Sequence, residues 1–299
     1  MGHADLPNSS HGVRGYSPFQ QNAPTQRWDV DRKGHGTHVA GTIGAIGGNG
    51  IGVTSVNPNP WRFKFFICKG LRDDDQPSSA LSAIECINKC MEEEADVISM
   101  SFGGDGIGGL GDPVKAAYED GVLLVAAAGN DGNSNYGFPA SADEAMSVAA
   151  VDRNKNRAGF SQYNDQVEIS GPGVDIKSTL PNNKYGDKRG TSMAAPHVAG
   201  VAALVWSYFP RCSNRQIRVA LDFSAKIIDA NCNNEYGFGI VNALNAYKLI
   251  RDYGGNDCSG IPSGQPHRGC NVIDTVSVVL MEHLFLSKSL GIIFSHSAT

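Results

Sequence analysis

Residues 190–200 read Gly-Thr-Ser-Met-Ala-Ala-Pro-His-Val-Ala-Gly, and this segment decides the fold. The small apolar residues after Ser192 predict a buried helix that runs to about Tyr208 and ends near Pro210. Because the first N–H groups of a helix have no acceptor within it, a hydroxyl at that end lies in a field that favours negative charge. Ser192 is therefore a candidate nucleophile. An ordinary helix start capped by Thr191 or Ser192 is the alternative interpretation.

A second segment places a histidine in similar surroundings. Residues 34–42 read Gly-His-Gly-Thr-His-Val-Ala-Gly-Thr, which again predicts a helix of small, buried residues. A serine hydroxyl is a weak nucleophile near neutral pH unless a base such as imidazole removes its proton. His35 is the candidate base.

A third segment supplies a candidate hydrogen-bond donor. Residues 121–130 predict a buried strand that ends in glycine and asparagine. In acyl transfer, a side-chain amide aimed at the oxygen that becomes negative contributes about 3 to 4 kcal/mol. Asn130 is the candidate donor, although taken alone it is also typical of a turn after a strand.

Between these segments, apolar strands alternate with helical patterns, as in a mostly parallel α/β sheet. Functional sites of such sheets form at the carboxyl ends of strands, where both Ser101 and Asn130 are predicted to lie. The predicted strands are 62–68, 95–101, 122–128, 145–151 and 167–170, and the predicted helices, besides that of Ser192, are 79–92, 112–119, 213–222 and 241–252.

The three segments together, in the order histidine, asparagine, serine, resemble the subtilisin-type serine proteases, the subtilase family, from about His3 to Ile250. The resemblance implies a three-layer α/β fold with a mostly parallel central sheet flanked by helices. It implies a serine endopeptidase that hydrolyses peptide bonds through an acyl-enzyme and needs no cofactor for catalysis. His35 resembles the general base, Asn130 the oxyanion donor and Ser192 the nucleophile.

The third member of the family's catalytic triad is not found in the matched segments. Subtilases carry this aspartate at the end of the first core strand, upstream of a His-Pro-Asp-Leu landmark. Residues 3–6, His-Ala-Asp-Leu, resemble the landmark, so we expect the aspartate to precede Met1 in a chain clipped at its front. Asp31 resembles a different family aspartate. Without the acid, the rate should fall by about four orders of magnitude. The alternative is a catalytically impaired pseudoprotease that binds peptides or partners.

The resemblance also implies a substrate pocket for the residue before the scissile bond. A glycine at its base leaves depth, so we expect broad specificity with large apolar or aromatic residues accepted there. Phe138-Pro139 resembles a family site with a cis peptide bond. The pocket walls are Ser101, Phe102, Gly103, Ala128 and Gly129, and the base is Gly137.

A structural calcium site is a further implication of the resemblance. Hard oxygen ligands suit calcium. The loop 47–50 differs in length from the family's loops, and a glycine-rich turn without metal is the alternative. The implied ligands are Asp5, Asn49 and the carbonyl groups of Ile46, Ile51 and Val53.

Composition and charge limit the classes of partner that we expect for this protein. A net charge of −5 with scattered Lys and Arg gives no basis for binding nucleic acid. Charged residues interrupt the apolar run 272–294, so we expect no membrane span. The expected protein is a monomer that acts on protein or peptide substrates. We expect residues 1–252 to form the peptidase domain and 253–299 a C-terminal extension, Gly/Pro/Ser-rich and then partly apolar.

Seven cysteines favour a secreted, extracellular protein, although no signal peptide or inhibitory propeptide is recognisable at the N-terminus. Cys212 and Cys232 flank a predicted helix and loop that a bridge between them could close. Cys258 and Cys270 bracket a Gly/Pro/Ser-rich segment and could form a second bridge, and the sequence leaves the pairing open. Because the count is odd, at least one cysteine is unpaired. The other three are interpreted as buried thiols or a further bridge: Cys68, Cys86 and Cys90.

Overall fold

The computed structural model describes residues 2–74, 79–104, 109–228, 232–267 and 269–270. Strands and helices alternate through most of the chain. In order, the elements are β1 (Arg14–Tyr16), α1 (His35–Gly44), β2 (Phe66–Cys68), α2 (Ala80–Glu92), β3 (Val97–Met100), α3 (Gly111–Glu119), β4 (Leu123–Ala127), β5 (Ala145–Val151), β6 (Val167–Pro172), β7 (Ile176–Leu180), β8 (Lys184–Lys188), α4 (Thr191–Tyr208), α5 (Asn214–Ser224) and α6 (Ala243–Leu249).

The central sheet consists of four parallel strands in the order β3-β4-β5-β6. Strands β4 and β5 are buried along their whole length, as expected of parallel strands covered on both faces. Alternate residues of β4 enter different cores: Leu123 and Val125 pack towards α4, α5 and α6, whereas Leu124 packs towards α2 and α3. The expected three-layer α/β fold is therefore confirmed.

A second, two-stranded parallel sheet pairs β1 with β2. In the described part of the chain it does not pair with the central sheet, although β2 and β3 line the same cleft. Strand β3 is only partly buried, in contrast to β4 and β5. The hydroxyl of Ser99 in β3 is buried and has no hydrogen-bond partner. Two facing strands thus present open edges to one cleft.

Helix α4 lies close against the sheet because its first turns carry small side chains. A Cβ added to Gly171 in β6 would lie only 2.8 Å from the carbonyl oxygen of Ala194, so there is no room for a side chain at Gly171. Each large apolar side chain buried in this interface, such as Val198 or Val205, contributes about 1.5–3 kcal/mol. The close approach brings the N-terminus of α4 to the carboxyl ends of the strands.

Most predicted elements are present with boundaries shifted by a few residues. The 62–68 strand shortens to β2, and the 241–252 helix becomes α6 followed by a π-helical turn over Ile250–Gly254. The sequence did not predict β1 or the antiparallel pair of β7 and β8. Strand β8 reads Lys-Tyr-Gly-Asp-Lys and has no apolar alternation, because it lies at the surface and is held by pairing with β7.

The disulfide bridges differ from two that the sequence suggested. Neither Cys212–Cys232 nor Cys258–Cys270 forms, whereas the further bridge considered among Cys68, Cys86 and Cys90 is present. The fold instead returns the segment after α6 to the start of α5, so the nearest thiols are far apart in sequence. The bridges are Cys68–Cys86, Cys212–Cys258 and Cys232–Cys270, and Cys90 is free.

Residues beyond 252 contact the same core as the helices before them. Ile261 is 1% exposed and belongs to the core formed with α4 and α5. The predicted domain boundary at 252 stays a prediction, and the 272–294 run lies outside the described residues. Within the described ranges, no helix is long and apolar enough to cross a membrane.

A cluster of buried charges ties this C-terminal segment to the sheet. The guanidinium of Arg218 donates to both oxygens of Glu168, at 2.7 and 2.6 Å. The Nε2 atom of His267 lies 3.4 Å from an oxygen of Asp222 and 3.5 Å from an oxygen of Glu168. Burial, together with the Glu168 carboxylate, raises the pKa of Asp222 to about 8. Burial alone would lower the pKa of His267, but the two carboxylates raise it overall.

This cluster makes stability decrease with rising pH. Both Asp222 and His267 have a folded pKa above the unfolded value, so their contribution is fully present below the unfolded pKa and is lost as pH rises through the folded pKa, which is about 8 for Asp222. We expect the free energy of unfolding in urea to fall as pH rises from about 4 to about 8, by up to about 1.4 kcal/mol per pH unit per proton. Asp222→Asn should flatten this slope. The exposed Asp252→Asn is the control, and equal slopes in all three proteins would refute the prediction.

Candidate active site

Ser192 is the second residue of α4, at the N-terminus of the helix, and is half-buried. Its Oγ donates a hydrogen bond to the carbonyl of Ser101 at 3.2 Å, and the Ser101 hydroxyl donates to the carbonyl of Ser192 at 2.9 Å. Gly190 precedes the helix with a φ of 147°, a conformation that favours glycine. The nucleophile candidate is thus held to the carboxyl end of β3.

Asn130 follows β4 and is oriented by the residue before Ser192. Its Oδ1 accepts hydrogen bonds from the N–H of Thr191 at 2.8 Å and from the Thr191 hydroxyl at 3.1 Å. The Thr191 hydroxyl in turn accepts from the N–H of Gly129 at 3.2 Å. Since the amide oxygen is engaged, the Nδ2 group is left as the free donor on a side chain that lines the same cleft as Ser192.

His35 is the first residue of α1, and Asp31 fixes the start of that helix. The Asp31 carboxylate accepts from the N–H of Gly34 at 2.7 Å, from the N–H of Thr37 at 2.8 Å and from the Thr37 hydroxyl at 2.7 Å. Both oxygens of Asp31 are therefore engaged in capping. Among the hydrogen bonds of the described residues, none joins a carboxylate to the imidazole of His35, and none joins His35 to Ser192.

The surroundings of His35 keep its imidazole neutral. Burial lowers the pKa of His35, the nearby Lys188 ammonium lowers it further, and Asp31 opposes the shift in part. A neutral ring at neutral pH is the form that accepts a proton. His38, one turn later, is 0% exposed, and its Nε2 contacts the carbonyl of Ile176 at 2.8 Å, which joins α1 to β7.

The three predicted catalytic residues and three of the predicted pocket residues line one cleft of about 1380 Å³. The backbones of Gly104 and Phe138 pair at 3.2 and 3.3 Å and connect two parts of its rim. The Phe138–Pro139 peptide bond is cis, as expected. A Cβ on Gly137 would lie 3.9 Å from the Ala128 carbonyl, so space remains there. The cleft is lined by His35, Asn130 and Ser192 together with Ser101, Phe102 and Gly103.

The other three predicted pocket residues, Ala128, Gly129 and Gly137, are not among the residues that line this cleft. Ala128 is 1% exposed, and its N–H pairs with the carbonyl of Val148. From the sequence, Thr191 was predicted only as a helix cap, and Lys188 was not predicted to have a role. Their roles depend on Asn130 and His35, which are distant in sequence, and no local pattern reports such contacts.

The residues of the predicted calcium site gather around Asp5, which is 0% exposed. Its carboxylate accepts from the side-chain amide of Asn49 at 2.7 Å and from the N–H of Val53 at 2.9 Å. The Asp5 carbonyl accepts from the N–H of Ile46, and Asn49 Oδ1 from the N–H of Ile51. The Asp5 carboxylate and the Asn49 amide carry oxygen atoms of the kind that calcium prefers, and in this structure the Asn49 amide and the Val53 N–H both donate to the carboxylate.

A serine at a helix N-terminus, an oriented amide and a neutral imidazole line one cleft of an α/β sheet, and these are the residue types of a serine-type hydrolase. A sequence profile described as the subtilase family matches residues 6–239. The chain belongs to the subtilase family and is a serine-type endopeptidase.

Known relatives and a solved structure support the assignment to the subtilase family. Subtilisin DY of Bacillus licheniformis is 42% identical over 73% of this chain and 78% of its own length. A thermostable alkaline protease of Halalkalibacterium halodurans is 41% identical over 77% of this chain and 62% of its own length. The crystal structure of the psychrophilic subtilisin-like protease Apa1 from Pseudoalteromonas sp. AS-11 superposes with a TM-score of 0.75 at 27% identity, covering 86% of this chain and 91% of that chain.

Lys188 should hold the His35 pKa below its ordinary value. We expect Lys188→Gln to raise the pKa of His35, because a positive charge that opposes protonation is removed. Titration of the imidazole C–H signals by NMR measures the shift. Lys177→Gln, which removes an exposed lysine from the adjacent strand, is the matched control. An unchanged His35 titration in Lys188→Gln would contradict the assignment.

Proposed function

We propose that Ser192 attacks the peptide carbonyl, that His35 is its general base and that Asn130 stabilises the oxyanion. The observation that supports this most is the orientation of Asn130. Thr191 occupies its amide oxygen, which leaves Nδ2, among the described residues, as a donor without a partner on a side chain that lines the same cleft as Ser192. A donor that needs no reorganisation stabilises developing charge most effectively.

The chemistry follows from these groups. Ser192 Oγ leaves its hydrogen bond to the Ser101 carbonyl and gives its proton to His35 as it attacks the carbonyl carbon. Asn130 Nδ2 and the Ser192 N–H then hold the negative oxygen of the tetrahedral intermediate. His35 returns the proton to the leaving amine, and water hydrolyses the acyl-enzyme by the same steps.

The acid that orients His35 comes, in this proposal, from a further strand inserted between β2 and β3. Both strands are parallel to their own partners, both line the cleft, and both keep one edge open in the described part of the chain. A parallel strand in that position would end at the same edge of the sheet as Ser101, because the carboxyl ends of parallel strands coincide.

A serine-directed fluorophosphonate probe and a peptide substrate test this proposal. We expect a chain extended by an apolar N-terminal strand that ends in aspartate to be labelled and to hydrolyse peptides about four orders of magnitude faster than the same extension ending in asparagine. Ser192→Ala in the extended chain should abolish both signals. Asn130→Ala should lower kcat by about 10²- to 10³-fold, the range found for removal of one oxyanion donor in this family.

The alternative is a pseudoprotease that keeps the fold to bind peptides or partners. Its support is the absence, among the described residues, of a carboxylate bonded to His35. If the aspartate extension folds and pairs with β2 and β3 but is neither labelled nor active, the pseudoprotease is correct and the catalytic assignment is wrong.

The proposed specificity is broad, with large apolar residues accepted before the scissile bond. Gly137 supports it, since a Cβ there meets only an ordinary contact at 3.9 Å and the base of the pocket is open. We propose action outside the cell, because three disulfides suit an oxidising compartment. We propose that the protein is a monomer whose partners are protein or peptide substrates. We propose no nucleic-acid partner, in keeping with the net charge of −5.

We also propose that the Asp5 site takes calcium, held by Asp5, Asn49 and backbone carbonyls. The ion would stabilise the loop at 47–53 by compensating a fully buried carboxylate. Added calcium should raise the thermal midpoint in proportion to the logarithm of its concentration, and a chelator should reverse this. Asp5→Asn should lose the response, and magnesium should not reproduce it. A midpoint independent of calcium would refute this site.

A further inference from the structure

Pro196 leaves a gap in the hydrogen bonding of α4 at the nucleophile. In an α-helix the N–H of each residue donates to the carbonyl four residues earlier, and proline has no N–H. Pro196 lies inside α4, so the carbonyl of Ser192 lacks its helical donor. A carbonyl near the centre of a folded domain needs another donor to avoid a loss of stability.

The hydroxyl of Ser101 supplies that donor. It donates to the Ser192 carbonyl at 2.9 Å, while the Ser101 carbonyl accepts from Ser192 Oγ at 3.2 Å. Ser101 is 9% exposed and directly follows β3, so its backbone is fixed by the sheet. The two serines are 91 residues apart in sequence, and they exchange a reciprocal pair of hydrogen bonds.

The neighbouring groups of the first turn of α4 have other partners. The N–H of Thr191 donates to Asn130, the N–H of Met193 donates to the Gly190 carbonyl, and the Met193 carbonyl contacts the ring of His197 at 2.8 Å. The Ser192 carbonyl accepts from the Ser101 hydroxyl, and Pro196 cannot supply the donor four residues later. The peptide plane that follows the nucleophile is therefore set by one side chain from β3.

We propose that Ser101 is a positioning residue for Ser192, and that its hydroxyl replaces the donor that Pro196 cannot provide. Through the Ser192 carbonyl it fixes the peptide plane between Ser192 and Met193. That plane determines the direction in which the Ser192 side chain leaves the helix, and so the approach of Oγ to the substrate carbonyl and to His35. Because the rate of attack by Ser192 depends on the geometry of the reacting groups, a rotation of this peptide plane should change that rate.

Loss of the hydroxyl should therefore affect turnover more than substrate binding. Ser101→Ala keeps the backbone that lines the cleft and removes only the donor. We expect kcat to fall by about threefold to tenfold, the fold-change that corresponds to one net hydrogen bond, with KM nearly unchanged. Ser101→Thr keeps a hydroxyl and should retain most of the activity. A role confined to the pocket wall would instead raise KM and leave kcat unchanged.

Pro196→Ala makes the test specific, because alanine restores an N–H four residues after Ser192. In that background Ser101→Ala should reduce kcat by less than about twofold, since the Ser192 carbonyl keeps a donor. A double-mutant cycle on the aspartate-extended chain measures the coupling between the two positions. Equal losses of kcat in both backgrounds would overturn the proposal, as would a coupling seen in urea unfolding but absent from kcat.

This inference rests on the proposed function of Ser192, and a crystallographic measurement separates the two failures. Crystal structures of Ser101→Ala and of the double variant should show the Ser192 carbonyl rotated in the first and restored in the second, whether or not the protein is active. If that rotation is absent, Ser101 does not position Ser192. If the rotation is present while even the parent chain is not labelled by a fluorophosphonate, the catalytic assignment fails and the placement by Ser101 stands.

Discussion

The close contact between α4 and the central sheet is the constraint on which the rest of the structure depends. Because Ala194 faces Gly171 with no room for a Cβ, the helix begins within reach of the ends of β3 and β4. Ser101 and Asn130 can then bind the first turn of α4 through their short side chains. Larger residues at the contact would move the helix outwards and break both connections.

The buried titratable groups lie in two opposite electrostatic environments. Around His35, burial and Lys188 disfavour the charged form, which leaves a neutral ring where a proton acceptor is required. Around Glu168, a charged Arg218 and a proton held between Asp222 and His267 balance two carboxylates. The first arrangement suits a group that changes charge during a reaction. The second joins the C-terminal segment to the sheet.

The open edges of β2 and β3 connect the architecture to the chemistry. Edge strands expose unpaired N–H and C=O groups that favour the addition of another strand. Here two such edges border one cleft whose end carries His35 and Ser192. Within the described ranges, no carboxylate bonds to His35 and the facing edges of β2 and β3 are unpaired, and the strand that we propose would account for both. Asp31 is not proposed as the acid, because its oxygens already cap α1.

Several features followed from the sequence by itself. The runs of small residues after His35 and Ser192 predicted helices α1 and α4, and continuous apolar runs predicted β4 and β5, because periodicity and burial are encoded locally. His35, Asn130 and Ser192 were predicted as site residues from the order of their three segments and the resemblance to the subtilases, and all three line one cleft. The predictions of element boundaries were less accurate, as in β2, because tertiary pairing decides where a strand ends.

Only the tertiary structure decided how distant residues meet. Cys258 pairs with Cys212, not with Cys270, because the chain after α6 returns to α5, and sequence spacing carries no information about that return. Thr191 orients Asn130, and Ser101 satisfies the Ser192 carbonyl left open by Pro196, although 61 and 91 residues separate these pairs. Such contacts depend on the relative placement of whole elements, which packing of the sheet against α4 determines and no local pattern contains.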